Sequence, residues 1–281
     1  MSSLVDLALG DAAPHIEVSI DEGVTTIAFA RPERHNAISY AMWQGLARLM
    51  PVLEADDSVD VVLLTGAPGG PFSAGADIAE FRTLRADAEG AAAYNEAVEA
   101  GERALIDFSK PTVAAIEGFA IGGGTQVAVA CDLRICGAAS RFGVTPANLG
   151  IVYPLASTRR LVETVGSPWA RWLLLTGELV DAATALRSGL GHEVVADAAV
   201  PARATELARR VGSRARVSLV GGKALIDRVA HGRLDEDDEV VALYERSRSG
   251  PEYAEGVAAF LDKRAPDFGA VRRSTQPSRP D

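Results

Sequence analysis

Cysteine is scarce in this chain of 281 residues: there are two, Cys131 and Cys136, in an apolar stretch with no histidine beside them. That setting argues against a secreted disulfide framework and against a zinc site, and both read as core thiols. Positive charge is short as well. With 28 Lys and Arg against 38 Asp and Glu, a formal net charge of −10 and a pI of about 5.0, the chain lacks the clustered cations that nucleic acids and anionic membranes reward. Any phosphate-bearing ligand must find a local basic patch. No apolar run approaches the ~20 residues a membrane span needs, and the first fifteen residues hold no basic segment followed by a long apolar one. The expectation is a soluble cytoplasmic protein without nucleic-acid or membrane partners. Two nucleotide signatures are missing too. Residues 118–124 do not fit G-x-G-x-x-G, and Lys223 lacks the upstream glycine and the following Ser/Thr of a P-loop.

What is present is enough apolar material, 48% of residues against 23% charged, to bury a full core. Residues 15–30 form two extended stretches around Asp21-Glu22-Gly23, a turn sequence with glycine where a positive φ is needed, and so predict a hairpin. VDVVLLTG (59–66) and PTVAAIEG (111–118) are β-branched-rich runs without alternation, as expected of strands covered on both faces. Helical spacing over AMWQGLARLMPVLE and over 86–107 separates them, which points to an α/β core with parallel pairing. After Asp197 four helical segments follow without strand signals. The resulting division is a core over 1–200, a helical module over 201–271 and a frayed tail over 272–281. In the module, Tyr253, Val257, Phe260 and Leu261 share one helix face, which suits packing on its own core or on a neighbouring subunit.

Two glycine-bearing bends carry the chemistry. In IEGFAIGGGTQVAVACDLRI (116–135) a strand runs into three glycines and then a helix, where free N–H groups at a helix start can bind an anionic oxygen. GGPFSAGADIAEF (69–81) again places small residues ahead of a helical stretch. It nearly imitates a G-x-S-x-G nucleophile elbow, but Pro71 stands at the first glycine, and the four histidines offer no partner for Ser73.

RPERHNAIS (31–39), FSAGADI (72–78), KPTVAAIEGFAIGGG (110–124), ACDLRI (130–135) and AFLDKRAPDF (259–268), in this order and spacing, resemble the crotonase (enoyl-CoA hydratase/isomerase) superfamily over nearly the whole chain. The resemblance implies an α/β spiral core of repeated ββα units (ClpP/crotonase-like) with a C-terminal helical trimerisation domain, and homotrimers or dimers of trimers. It implies an acyl-CoA thioester substrate, with coenzyme A entering as part of it and no metal or other cofactor. The backbone N–H groups of Ala76 and Gly123 would form the oxyanion hole. CoA would lie along the 31–37 segment and its Ala37, and beside Ala74, with Arg31, Arg34 and, from a neighbouring subunit, Lys263 on its phosphates.

The chain departs from the family's hydratases at both catalytic glutamates. One position holds Gln126, which cannot accept a proton; the other falls on Pro146, or on Ala147 with a one-residue slip. Hydration or isomerisation would then need an atypical acid such as Glu80 or Glu117. FGVTPANLGIVYP (142–154) resembles the corresponding stretch of methylmalonyl-CoA decarboxylases, which would place Thr145 and Tyr153 in the reacting pocket, with Tyr153 and the Gln126 amide donating to a substrate carboxylate. The expectation is decarboxylation of a malonyl-type acyl-CoA; the alternatives are an atypical hydratase or isomerase, and an acyl-CoA binder without catalysis.

Overall fold

The computed structural model describes residues 2–275. In chain order the elements are α1 (Ser2–Leu9), β1 (Ile16–Asp21), β2 (Val24–Phe29), α2 (Tyr40–Glu54), β3 (Val61–Gly66), α3 (Phe81–Leu84), α4 (Ala88–Ile106), β4 (Thr112–Ile116), β5 (Phe119–Ile121), α5 (Gly123–Ala130), β6 (Leu133–Gly137), β7 (Arg141–Gly143), α6 (Leu155–Thr176), β8 (Val180–Asp181), α7 (Ala182–Ser188), β9 (Glu193–Val195) and α8 (Val200–Gly212). Four helices complete the chain: α9 (Arg216–Ala230), α10 (Asp238–Ser249), α11 (Pro251–Leu261) and α12 (Phe268–Thr275).

The hairpin β1–β2 closes on Glu22 and Gly23, both at positive φ (46° and 82°), the backbone a two-residue primed turn demands. From β2 onward every pairing in the larger sheet is parallel, in the order β1-β2-β3-β4-β6-β9; a second sheet stacks β5-β7-β8. The unbroken apolar runs of β3 and β4 are explained by burial on two sides. Val62, Leu64, Ala114 and Ile116 join the main core with α2, whereas Val61, Leu63, Val113 and Ala115 pack under Val200, Ala204 and Ala208 of α8. Each Val, Leu or Ile among them contributes about 1.5–3 kcal/mol by leaving water.

Helix α8 therefore covers the sheet, and the boundary placed at residue 200 moves beyond it: small residues at i, i+4 and i+8 fit it closely against the strands. The predicted tail is also corrected in part. Helix α12 runs through Thr275, and Arg272 pairs with Asp60 and Glu252; residues 276–281 lie outside the described residues. The α11 stripe does not pack on its own core, since Tyr253, Val257, Phe260 and Leu261 are all exposed. Cys131 and Cys136 are buried thiols, each pushed up to about 12 by burial.

Candidate functional site

Two isolated bridges assemble the site. Ser73 pairs with Ala120 and Ile38 with Ala76, so the 31–39, 71–77 and 119–123 segments meet. In the second bridge Ile38 N–H donates to Gly75 O (2.7 Å) and Asp77 N–H to Ile38 O (3.0 Å). Ala76, between those two contacts, must turn its own N–H away from Ile38. On that other side stands Gly123: a Cβ added there would lie 3.3 Å from Ala76 N. Gly123 is the first residue of α5, where an N–H has no intrahelical partner; the first such bond runs from Gln126 N to Gly122 O (3.0 Å). Among the described residues neither amide has a hydrogen-bond acceptor.

Two glycines permit this approach. Gly75 has φ of 99°, and a Cβ there would meet Ile121 O at 2.6 Å and Gly123 N at 3.3 Å; one on Gly124 would meet Ser73 O at 2.6 Å. Ser73, the near-nucleophile of the sequence, is instead a buried brace, its Oγ donating to Asn36 O (2.8 Å) and accepting from Gly75 N (3.1 Å).

The amide pair opens into a cavity of about 610 Å³ lined by Ala74, Ala76, Gly123, Gln126, Thr145 and Tyr153 among others. Five of the sequence-derived site residues thus share it with Ala74. No Asp or Glu is among the described residues that line it. Glu80 accepts from Tyr40 N (2.8 Å) at the start of α2, and Glu117 stands elsewhere, so neither alternative acid reaches the cavity.

The acid that sequence reading missed is Glu102. It is buried on α4, and its Oε2 accepts from both Gln126 Nε2 (2.7 Å) and Ser157 Oγ (2.6 Å). Gln126 Nε2 also donates to Ser157 Oγ (3.0 Å). Those two acceptors stand 2.6 Å apart, so a single N–H of the amide serves both, and its second N–H keeps the expected contact with a substrate carboxylate open. Burial pushes the Glu102 carboxyl above its ordinary value near 4.5, against the two donors that pull it down. The Tyr153 hydroxyl is pushed up first by burial and then by the Glu102 charge.

A raised carboxyl favours the folded state when protonated. Its contribution is complete below pH 4.5 and is lost as the pH rises through the folded-state value. Glu102→Gln, which keeps the shape and an acceptor, is therefore expected to melt higher than the native protein at pH 8, with the gap closing toward pH 4.5. Melting curves that run parallel across that range would remove this assignment.

The 31–37 segment is held more tightly than its charge suggests. The Arg31 guanidinium donates to Ala37 O and to Asp77 Oδ2, both at 2.8 Å, and is largely buried. One end of its fork braces this loop and the other ties it to Asp77. Arg34 is exposed; Lys263 follows α11 in the helical module, and neither it nor Arg34 lines the cavity. Asn36, missed from sequence, is fully buried at φ 54°. Its Oδ1 accepts from Arg31 N (2.8 Å) and its Nδ2 donates to Pro71 O (2.6 Å), tying the two segments.

A spiral-type α/β sheet bearing paired free amides at the edge of such a cavity defines the class. The family model for enoyl-CoA hydratase/isomerase matches residues 19–271. The chain is 32% identical to the mouse (Mus musculus) enoyl-CoA hydratase domain-containing protein 2, mitochondrial, across 91% of this chain and 88% of that one. A solved enoyl-CoA hydratase/carnithine racemase from Magnetospirillum magneticum superposes with a TM-score of 0.86 at 33% identity, covering 90% and 95%. An enoyl-CoA hydratase of Mycobacterium smegmatis gives 0.81 at 29%, covering 91% and 99%. The chain belongs to the enoyl-CoA hydratase/isomerase family and has the crotonase fold. No helix among the described residues is long and apolar enough to cross a membrane.

Proposed function

We propose that this protein binds an acyl-CoA thioester with its carbonyl oxygen on the amides of Ala76 and Gly123, stabilises the enolate, and acts as a decarboxylase of a malonyl-type ester. The supporting observation is a cavity that joins those amides to a wall without a carboxylate. Abstraction of an α-proton needs a base at the α-carbon, whereas decarboxylation needs none. The C–C bond breaks, its electron pair passes into the enolate, CO₂ leaves, and water returns a proton to the α-carbon. The two amides stabilise charge that grows only as that bond breaks. Thr145 and Tyr153, both on the cavity wall, are the hydroxyls available to orient the departing carboxylate. No cofactor beyond the substrate's own CoA is required, and a trimer that covers the exposed α11 face would bring Lys263 to a neighbouring CoA.

A second reading is favoured by one observation. Glu102, a raised carboxyl directly behind Gln126, is an acid for hydration if the Gln126 side chain moves aside. Incubation with malonyl-, methylmalonyl-, ethylmalonyl- and crotonyl-CoA separates the two. CO₂ release from a malonyl-type ester is the expected result. Crotonyl-CoA hydration abolished by Glu102→Gln, with no CO₂ from any ester, would replace it with the second.

A further inference from the structure

One wall of the cavity carries polar groups that neither the fold nor the proposed chemistry uses. The indole of Trp43 sits beside the amide pair, its Cζ2 3.1 Å from where a Cβ on Gly123 would lie. It is 1% exposed, and its Nε1 has no partner. Tyr94, 2% exposed, likewise leaves its hydroxyl without one. Both side chains line the cavity. Beside Tyr94, the half-buried guanidinium of Arg85 lies over the ring of Phe81 at 4.7 Å and within 5.6 Å of the Tyr94 ring centroid. Phe81 and Tyr94 meet edge to face at 5.2 Å, so the cation rests on a fixed aromatic shelf.

Arg85 also lines the cavity, and among the described residues it has no carboxylate partner. Glu80, just before α3, accepts instead from the backbone N–H of Tyr40. The indole nitrogen and the phenol oxygen are both shut off from solvent, and the indole bears on the Tyr94 hydroxyl, so Arg85 is the donor of the three that faces the cavity, a space in which the protein places no anion of its own.

We propose that Arg85, seated on the Phe81–Tyr94 shelf, forms an acyl-recognition subsite for a carboxylate, so that the preferred substrate is the CoA thioester of a dicarboxylic acid, with Arg85 as the specificity-determining residue. The bidentate fork of Arg85 holds the carboxylate. This subsite rests on the acyl-CoA reading above, and not on which bond is broken.

Titration calorimetry on the full chain, at one ionic strength, tests it with succinyl- and glutaryl-CoA against butyryl- and valeryl-CoA. The native protein is expected to bind at least one dicarboxylic ester about 10- to 100-fold more tightly than its neutral counterpart. Arg85→Met should erase that preference and Arg85→Lys should keep part of it, with thermal melts reporting that both variants fold. If neutral and dicarboxylic esters bind alike, or if the preference survives Arg85→Met, the subsite is overturned while the acyl-CoA reading stands. If no CoA ester binds to the folded native protein, the reading beneath it fails as well.

Discussion

Replacing Gly123 by proline lowers turnover of the thioester substrate by about 10²- to 10³-fold, the cost of removing one oxyanion-hole donor. The substitution deletes the N–H and sets the ring Cδ on the same nitrogen, so the loss of the donor is joined by crowding of the oxygen's site and the figure is a lower bound. Gly123 opens α5, and the first position of a helix accepts proline because its N–H has no partner within the helix. The helix keeps its first internal bond, from Gln126 N to Gly122 O. Gly123→Ala is the control. It retains the donor but adds a Cβ in the same place, 3.1 Å from Trp43 Cζ2 and 3.3 Å from Ala76 N, and so reports the crowding alone. Circular dichroism should be unchanged in both. Turnover of the proline variant within threefold of the alanine variant would mean that the Gly123 amide does not stabilise the reacting oxygen.

Asn36→Ala should destabilise the protein by about 2–4 kcal/mol, read as a lowered midpoint in urea with an unchanged slope. Two buried hydrogen bonds are lost, from Arg31 N and to Pro71 O, and each leaves a buried backbone group without a partner. The residue also sits at φ 54°, a left-handed conformation that asparagine tolerates better than alanine. The carboxamide is closely fitted: a Cβ on either Gly66 or Gly70 would come within 2.8 Å of its Nδ2. Asn36→Gly separates the two causes, since it relieves the backbone conformation while losing the same bonds, and should recover about 1 kcal/mol of the deficit. Equal midpoints for the alanine and glycine variants would assign the whole loss to hydrogen bonding. A midpoint unaffected by Asn36→Ala would show that the 31–37 segment is held by Arg31 and Asp77 alone.

Much of this molecule is encoded locally. The hairpin follows from Glu22-Gly23, because the type I′ turn that joins its strands needs positive φ at both positions. The parallel sheet follows from apolar runs too continuous for a strand with a wet face. Both glycine-bearing bends, and the substitution of Gln126 for a carboxylate, are visible in short segments whose spacing is set by one strand and one helix.

The remainder depends on contacts between segments far apart in the chain. That Ala76 turns its N–H toward Gly123 is dictated by Ile38, which takes the hydrogen bonds of both residues flanking Ala76. The partner of the Arg31 charge is Asp77, 46 residues on and 2.8 Å away. Glu102 looks like one more polar position on an Ala/Glu-rich helix, and only folding buries it against Gln126 and Ser157. Helix α8 reads as part of the C-terminal module because its period shows that one face is apolar but not what that face meets. Periodicity and turn chemistry act over a few residues, so they settle which elements form. The partner of a buried polar group is chosen by whichever segment the assembled sheet brings beside it, and that choice decides whether a residue braces the site or reaches into it.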